Sequence, residues 1–205
     1  MFRTNRAPQL QPVLDRMRAE LDRWILEIRD LGFLPESDLR SRFRGKAPYE
    51  AVRADPSSYP LERLMAAADL AARREASQLP KLVALLSDPD PAVRYWGATG
   101  LSALGTQALP ALEPLLKALK DPAPNVRLAA AEAVGALGRP DEAAAAAAAD
   151  LAGPDEWARH HAALVLDGLG PRAAAAAEAL RRAASEDGND YVKRVASHAL
   201  KGLSK

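Results

Sequence analysis

Asp88-Pro89-Asp90-Pro91-Ala92-Val93-Arg94-Tyr95-Trp96-Gly97-Ala98-Thr99-Gly100-Leu101-Ser102-Ala103-Leu104-Gly105 returns in outline 33 residues downstream. Asp121-Pro122 stands for Asp88-Pro89, and Val126-Arg127 for Val93-Arg94. Ala131, Val134, Leu137 and Gly138 stand for Ala98, Leu101, Leu104 and Gly105. Self-similarity at this period marks a chain built from stacked supersecondary units. Within each copy the apolar residues recur at helical spacing. The closing glycine suits the left-handed residue that ends a helix. The expected fold is all-α: a right-handed α-solenoid of helical pairs preceded by one long helix.

Working outward, four units follow. The first pairs a helix over 79–86 with one over 91–104, and the second pairs 109–119 with 124–137. The third pairs 141–151 with 155–169, and the fourth 171–184 with 190–203. Gly105, Gly138 and Gly170 each end a second helix. Upstream, Asp55-Pro56 lies 33 residues before Asp88-Pro89, so 55–78 reads as a degenerate first repeat. Terminal repeats are expected to be atypical because they cap the stack. The division is therefore 1–54, an N-terminal segment, and 55–205, the solenoid.

The N-terminal segment carries its own pattern. Leu10, Val13, Leu14, Met17, Leu21, Trp24, Ile25, Ile28 and Leu31 lay one stripe along a helix over 10–31, and Gly32 is placed to stop it. Burying such a stripe stabilises by roughly 1.5–3 kcal/mol per large side chain. The helix must therefore dock on the repeats or on protein outside this chain. A short helix from residue 35 or 36 to 43 follows. Turn formers then dominate 44–59, the seam before the repeats.

A period of 33 also suits ankyrin and tetratricopeptide repeats. The residues separate these. No Thr-Pro-Leu-His occurs, and what recurs is Asp-Pro, Val-Arg, Ala and Leu, then Leu-Gly. This pattern, over 79–205, resembles the short HEAT-like repeats, of the kind also found in phycobilin lyases. Small residues (Gly97, Ala98 and Gly100; Ala129 to Ala131; Ala162 and Ala163) let paired helices approach. The run Ala143 to Ala149 has high helix propensity but little area to bury, so its helix is expected to be the thinnest wall.

Composition narrows the function. The chain of 205 residues has 28 Lys plus Arg against 27 Asp plus Glu, a net charge of +1, without the basic excess of a nucleic-acid binder. No run of 18 apolar residues is present to cross a membrane, and residues 1–6 lack the apolar core of a signal peptide. There is no cysteine, which excludes disulfides and thiolate chemistry. No Gly-x-Ser-x-Gly or phosphate-cradling glycine loop occurs. His160 and His161 are adjacent and lack the i, i+4 spacing of a zinc pair, and His198 stands alone. No cofactor or metal is expected, and no catalysis.

Arg94, Arg127, Arg159 and Lys193 occupy equivalent places, one per unit. Such a ladder of cations could hold an acidic partner. The blander reading has it bond the inter-helix turns, where Asp88, Asp121 and Asp155 recur. Trp96 is expected to face the core, and Tyr95 to be the exposed aromatic of a partner contact.

Three further stretches resemble another family. Residues 24–36 (Trp-Ile-Leu-Glu-Ile-Arg-Asp-Leu-Gly-Phe-Leu-Pro-Glu) look like the end of the catalytic region of bacterial type I sulfatases of the arylsulfatase class. Residues 59–71 look like the linker that follows it in some members. Val93 to Ala98 looks like the first HEAT-like unit appended after that. The resemblance implies an accessory C-terminal region without its enzyme, periplasmic or secreted if part of an exported sulfatase. Ser87-Asp88-Pro89-Asp90-Pro91 begins like the family's formylglycine motif but has Pro91 where that motif requires Arg. No catalytic or calcium-binding residue is matched. Two expectations follow: a docking or stabilising module whose long helix packs on a catalytic domain, or a free-standing adaptor gripping a protein through its concave face. A lyase or a DNA-repair enzyme on the same fold is a third, which the balanced charge disfavours.

Overall fold

In the computed structural model, residues 8–203 are described, and their regular elements are all helices. The repeats pair α5 (Leu79–Leu85) with α6 (Pro91–Ala103) and α7 (Leu112–Ala118) with α8 (Pro124–Ala136). They continue with α9 (Pro140–Leu151) and α10 (Glu156–Leu169), then α11 (Ala177–Glu186) and α12 (Asp190–Gly202). Ahead of them lie α1 (Gln11–Ile28), α2 (Glu36–Arg42), α3 (Pro48–Ala54) and α4 (Leu61–Arg73). Second helices stack in series, α4 on α6, α6 on α8, α8 on α10 and α10 on α12. The result is an all-α solenoid of the expected helical pairs.

The starts and stops follow local chemistry. Pro91, Pro124 and Pro140 open helices at the position where a missing N–H costs nothing. Asp90, Asp155 and Asn189 cap α6, α10 and α12 through their side chains. Gly105, Gly138 and Gly170 take positive φ where second helices end.

The close helix contacts need small residues. A Cβ on Gly100 would overlap Leu82 and stand 3.0 Å from the Ala71 Cα; one on Gly135 would stand 2.5 Å from Leu169 Cδ2. One continuous core runs from Ala71 to Ala199, with Leu82, Leu101, Leu115, Leu128, Leu166 and Leu180 as its large members. A second core joins Leu34, Phe43 and Val52 of the N-terminal segment to Tyr59, Leu61, Leu64, Ala92 and Val93. The segment is thus an end cap that shares its interior with the first units.

Two details of that segment differ from the sequence expectation. The first helix stops at Ile28, and Arg29 rather than Gly32 takes the left-handed conformation, at φ 55°. A non-glycine residue there costs roughly 1–2 kcal/mol. Arg29 offsets this by donating from Nη2 to the carbonyls of Pro56 and Tyr59, 3.0 Å each. The seam over 44–59, expected as turns, holds helix α3 (Pro48–Ala54), which buries Val52. Of the two alternatives left for the α1 stripe, docking on the repeats is not the one seen. No residue of α1 is fully buried, and only Ile25 near its end and Leu31 just beyond it pack on the N-terminal core.

Candidate interaction site

The recurring arginine sits one turn into each second helix, where its side chain reaches back over the preceding turn. Arg94 donates from Nη1 to the carbonyls of Asp88 and Pro89, at 2.9 and 3.1 Å. Its Nε and Nη2 meet both carboxylate oxygens of Asp121 in the next unit, at 2.7 and 2.8 Å. Arg127 repeats this with the carbonyls of Asp121 and Pro122 and with the carboxylate of Asp150. Arg159 does so with Gly153, Pro154 and Asp187. Each guanidinium ties its own turn to the following unit. The paired carboxylates raise the pKa of all three arginines, against the opposing effect of burial. Asp187 is pushed up by burial, but its bonds from Arg159 and the Asn189 amide more than offset this and hold it below the ordinary range.

Of the three carboxylates expected in this ladder, Asp88 and Asp121 stand in it and Asp155 does not. Asp155 is the N-cap of α10, accepting from the amides of Trp157 and Ala158. The turn equivalent to Asp88-Pro89 and Asp121-Pro122 is Gly153-Pro154. With no side chain at Gly153, the rung is completed by Asp150, one helical turn earlier. Asp88 itself accepts from Arg63 of α4. The rungs are therefore Arg63–Asp88, Arg94–Asp121, Arg127–Asp150 and Arg159–Asp187. Lys193, at the equivalent place in α12, sits 3.7 Å from Asp190 on its own helix.

Tyr95 is not the exposed aromatic. It is half-buried against the repeat core, edge-on to Trp96, and burial pushes its hydroxyl pKa up. Trp96 donates from Nε1 to the Phe33 carbonyl at 2.9 Å. The aromatics that stand out are Trp24, Tyr49 and Tyr191. Ser87 to Pro91, the partial formylglycine motif, forms the turn in which Asp90 caps α6. Among the described residues no three His, Cys, Asp or Glu side chains gather where a metal could sit.

With the cations engaged inside the chain, the conspicuous open surface is α1. Leu10, Val13, Leu14, Met17, Leu21 and Trp24 are each between 39% and 61% exposed. Only Ile25, near the helix end, packs on the N-terminal core. Beside the row, Arg23 bridges Glu20 and Glu27, and Arg18 lies 3.9 Å from Asp15. These ion pairs leave the apolar strip between mixed charges. Below it, Tyr59 donates its hydroxyl to the Asp30 carbonyl and Arg53 donates to the Ile28 carbonyl, fixing the base of α1 to the cap.

The sequence profile described as HEAT repeats matches residues 49–118 and 112–201. The match includes residues 59–71 and begins after 24–36, and it supplies no link to sulfatases for either stretch. A comparison with curated proteins finds no match. Among solved structures, the crystal structure of an engineered protein from a structural-genomics programme aligns with a TM-score of 0.52 at 19% identity, over 82% of this chain and 78% of that one. At that identity the likeness concerns the fold alone. Period, rung geometry and profile agree: the chain belongs to the HEAT-repeat family.

Proposed function

We propose that this chain is a non-catalytic HEAT-repeat scaffold that holds another protein domain through the open face of α1. The observation that carries the reading is the apolar row Leu10, Leu14, Met17, Leu21 and Trp24, left exposed on a helix with no buried residue. An isolated helix of this length is marginal in water and gains its stability from packing its apolar face. An exposed apolar row of this extent marks an interaction site. The engagement of Arg94, Arg127 and Arg159 in unit-to-unit bonds further favours α1 over the cation ladder as the docking element.

The finer reading takes the held domain to be a sulfatase catalytic region, on the strength of the sulfatase-like stretches at 24–36 and 59–71 together with the appended repeats. On this reading the chain supplies stability or placement and the partner supplies the chemistry. The test has two arms. The purified chain is expected to show no hydrolysis of an aryl sulfate above background, and turnover would overturn the non-catalytic assignment. Joined to its coding context, an upstream formylglycine motif would support the sulfatase partner, and a different upstream domain would replace it.

A further inference from the structure

Downstream of α1 the chain folds back across the repeats. α2 belongs to the end cap by sequence, yet it lies against α8 and α10, the second helices of the second and third units. Its flanks, Leu34 and Phe43, are sunk in the N-terminal core. Its docked face is polar, with Ser37 and Asp38 buried. Arg42 donates to both carboxylate oxygens of Asp90, the cap of α6, at 2.9 and 3.0 Å. It also reaches Asp38 at 2.9 Å and the Ser58 carbonyl at 3.0 Å. Two residues away, the Arg40 guanidinium lies over the Trp157 ring of α10, 5.6 Å from its centre. One short helix thereby touches unit one through Asp90 and unit three through Trp157.

A register row records the same crossing. Ala92, Asn125, Trp157 and Tyr191 stand two residues before Arg94, Arg127, Arg159 and Lys193. Ala92 and the polar Asn125 are buried and Trp157 is half-buried, whereas Tyr191 is 63% exposed. Burial along the row ends where α2 ends.

We infer that α2 is a brace that fixes the curvature of the solenoid from unit one to unit three and leaves unit four free to bend. In a repeat array each unit contacts only its neighbours, and curvature is the sum of small rotations between them. A link that joins the first unit to the third closes a triangle, and the angle inside it can no longer drift. A partner lying along units one to three would then meet a preformed surface, and one reaching α12 would meet an adaptable one. The inference does not depend on what α1 docks against.

The chain has no cysteine, so introduced pairs can be spin-labelled without background. Ala103→Cys with Gly168→Cys reports the distance between units one and three. Gly168→Cys with Lys201→Cys reports units three to four. All three positions are exposed, and Gly168 has nothing within 4 Å of a Cβ. The brace predicts a narrow one-to-three distance distribution that widens about twofold when Ser37→Trp wedges α2 away, with the three-to-four distribution unchanged. Arg40→Ser, which leaves the N-terminal core untouched, should widen it less. If Ser37→Trp lowers the helical circular dichroism, Arg40→Ser alone decides. A one-to-three distribution as narrow in the deciding variant as in the parent overturns the inference.

Discussion

α8 and α1 are both assembled from apolar residues at helical spacing, yet α8 buries nine of its 13 residues and α1 buries none of its 18. α8 lies between α6 and α10 and touches α9, so its small residues other than the terminal Ala136 are covered. Its sequence, Pro-Asn-Val-Arg-Leu-Ala-Ala-Ala-Glu-Ala-Val-Gly-Ala, has few charges because few of its positions meet water. α1 alternates its stripe with Asp15, Arg16, Arg18, Glu20, Asp22 and Arg23, the pattern of a helix with one side in water and the other side against a partner. A repeat unit brings its neighbour with it, because the neighbour is the same sequence one period on. A single amphipathic helix states that it needs a surface without stating which.

The contrast can be broken at several places, in order of expected size. Arg42→Ala should cost about 3–5 kcal/mol in urea unfolding, because it strands Asp38 and Asp90 in a buried site without their cation. A loss below 1 kcal/mol would show that the cap is not held by this cluster. Arg159→Ala should cost about 1–3 kcal/mol by leaving the Asp187 carboxylate buried and short of a partner. Arg63→Ala, at the more exposed first rung, should cost less than about 1 kcal/mol. Equal losses at the two rungs would mean that burial does not set their worth. Gly100→Ala should destabilise by about 1–3 kcal/mol through its overlap with Leu82 and Ala71, exceeding the helix propensity that alanine adds.

A smaller effect depends on pH. Burial pushes the Asp38 pKa above its ordinary 3.8, against the attraction of Arg42, whereas Arg42 and the Ala92 amide hold Asp90 below that value despite burial. Burial likewise opposes the charge of Arg42, but its bonds to Asp90 and Asp38 prevail and raise its pKa. A raised carboxyl pKa favours the folded state below the ordinary value, and that contribution is lost as pH rises through the folded pKa. A lowered one favours folding above the ordinary value, and its contribution is lost as pH falls through the folded pKa. Asp38→Asn should therefore be slightly more stable than the parent at pH 7. The gap should close as pH falls through the raised Asp38 pKa towards 3.8. A parent more stable than Asp38→Asn at pH 7 would reverse the assignment. Least of all, Met17→Lys on α1 should change stability by less than about 0.5 kcal/mol, as for a surface site, while abolishing capture of a partner that docks on the stripe.

Much of the architecture could be read from the period alone. Asp88-Pro89 and Val93-Arg94 recur because each unit needs the same turn and the same tie, and most repeat helices fall within a few residues of where spacing puts them. α11, however, starts only at Ala177, six residues late, and α3 in the seam was not foreseen. The ladder was less legible. At the third unit the Gly153-Pro154 turn has lost its carboxylate, and Asp150 supplies it from one turn back, so matching by Asp-x positions selects the capping Asp155 instead. Aligning Gly153-Pro154 with Asp88-Pro89 would have revealed the displacement. Arg42 and Arg40 carried no signal, since their contacts at Asp90 and Trp157 lie far along the chain and follow no repeat. The stop of α1 at Arg29 was hidden for a similar reason, because the carbonyls of Pro56 and Tyr59 that stabilise its left-handed backbone come from the seam.

The central claim is that stability resides in the stacked repeats and their rungs while α1 stands outside the shared interior. Native-state hydrogen exchange, resolved by helix, tests it most directly. The account predicts that the amides of α6, α8 and α10 exchange only through global unfolding, and that those of α1 exchange orders of magnitude faster in the isolated chain. Protection of α1 equal to that of α8 in the isolated, monomeric chain would contradict it.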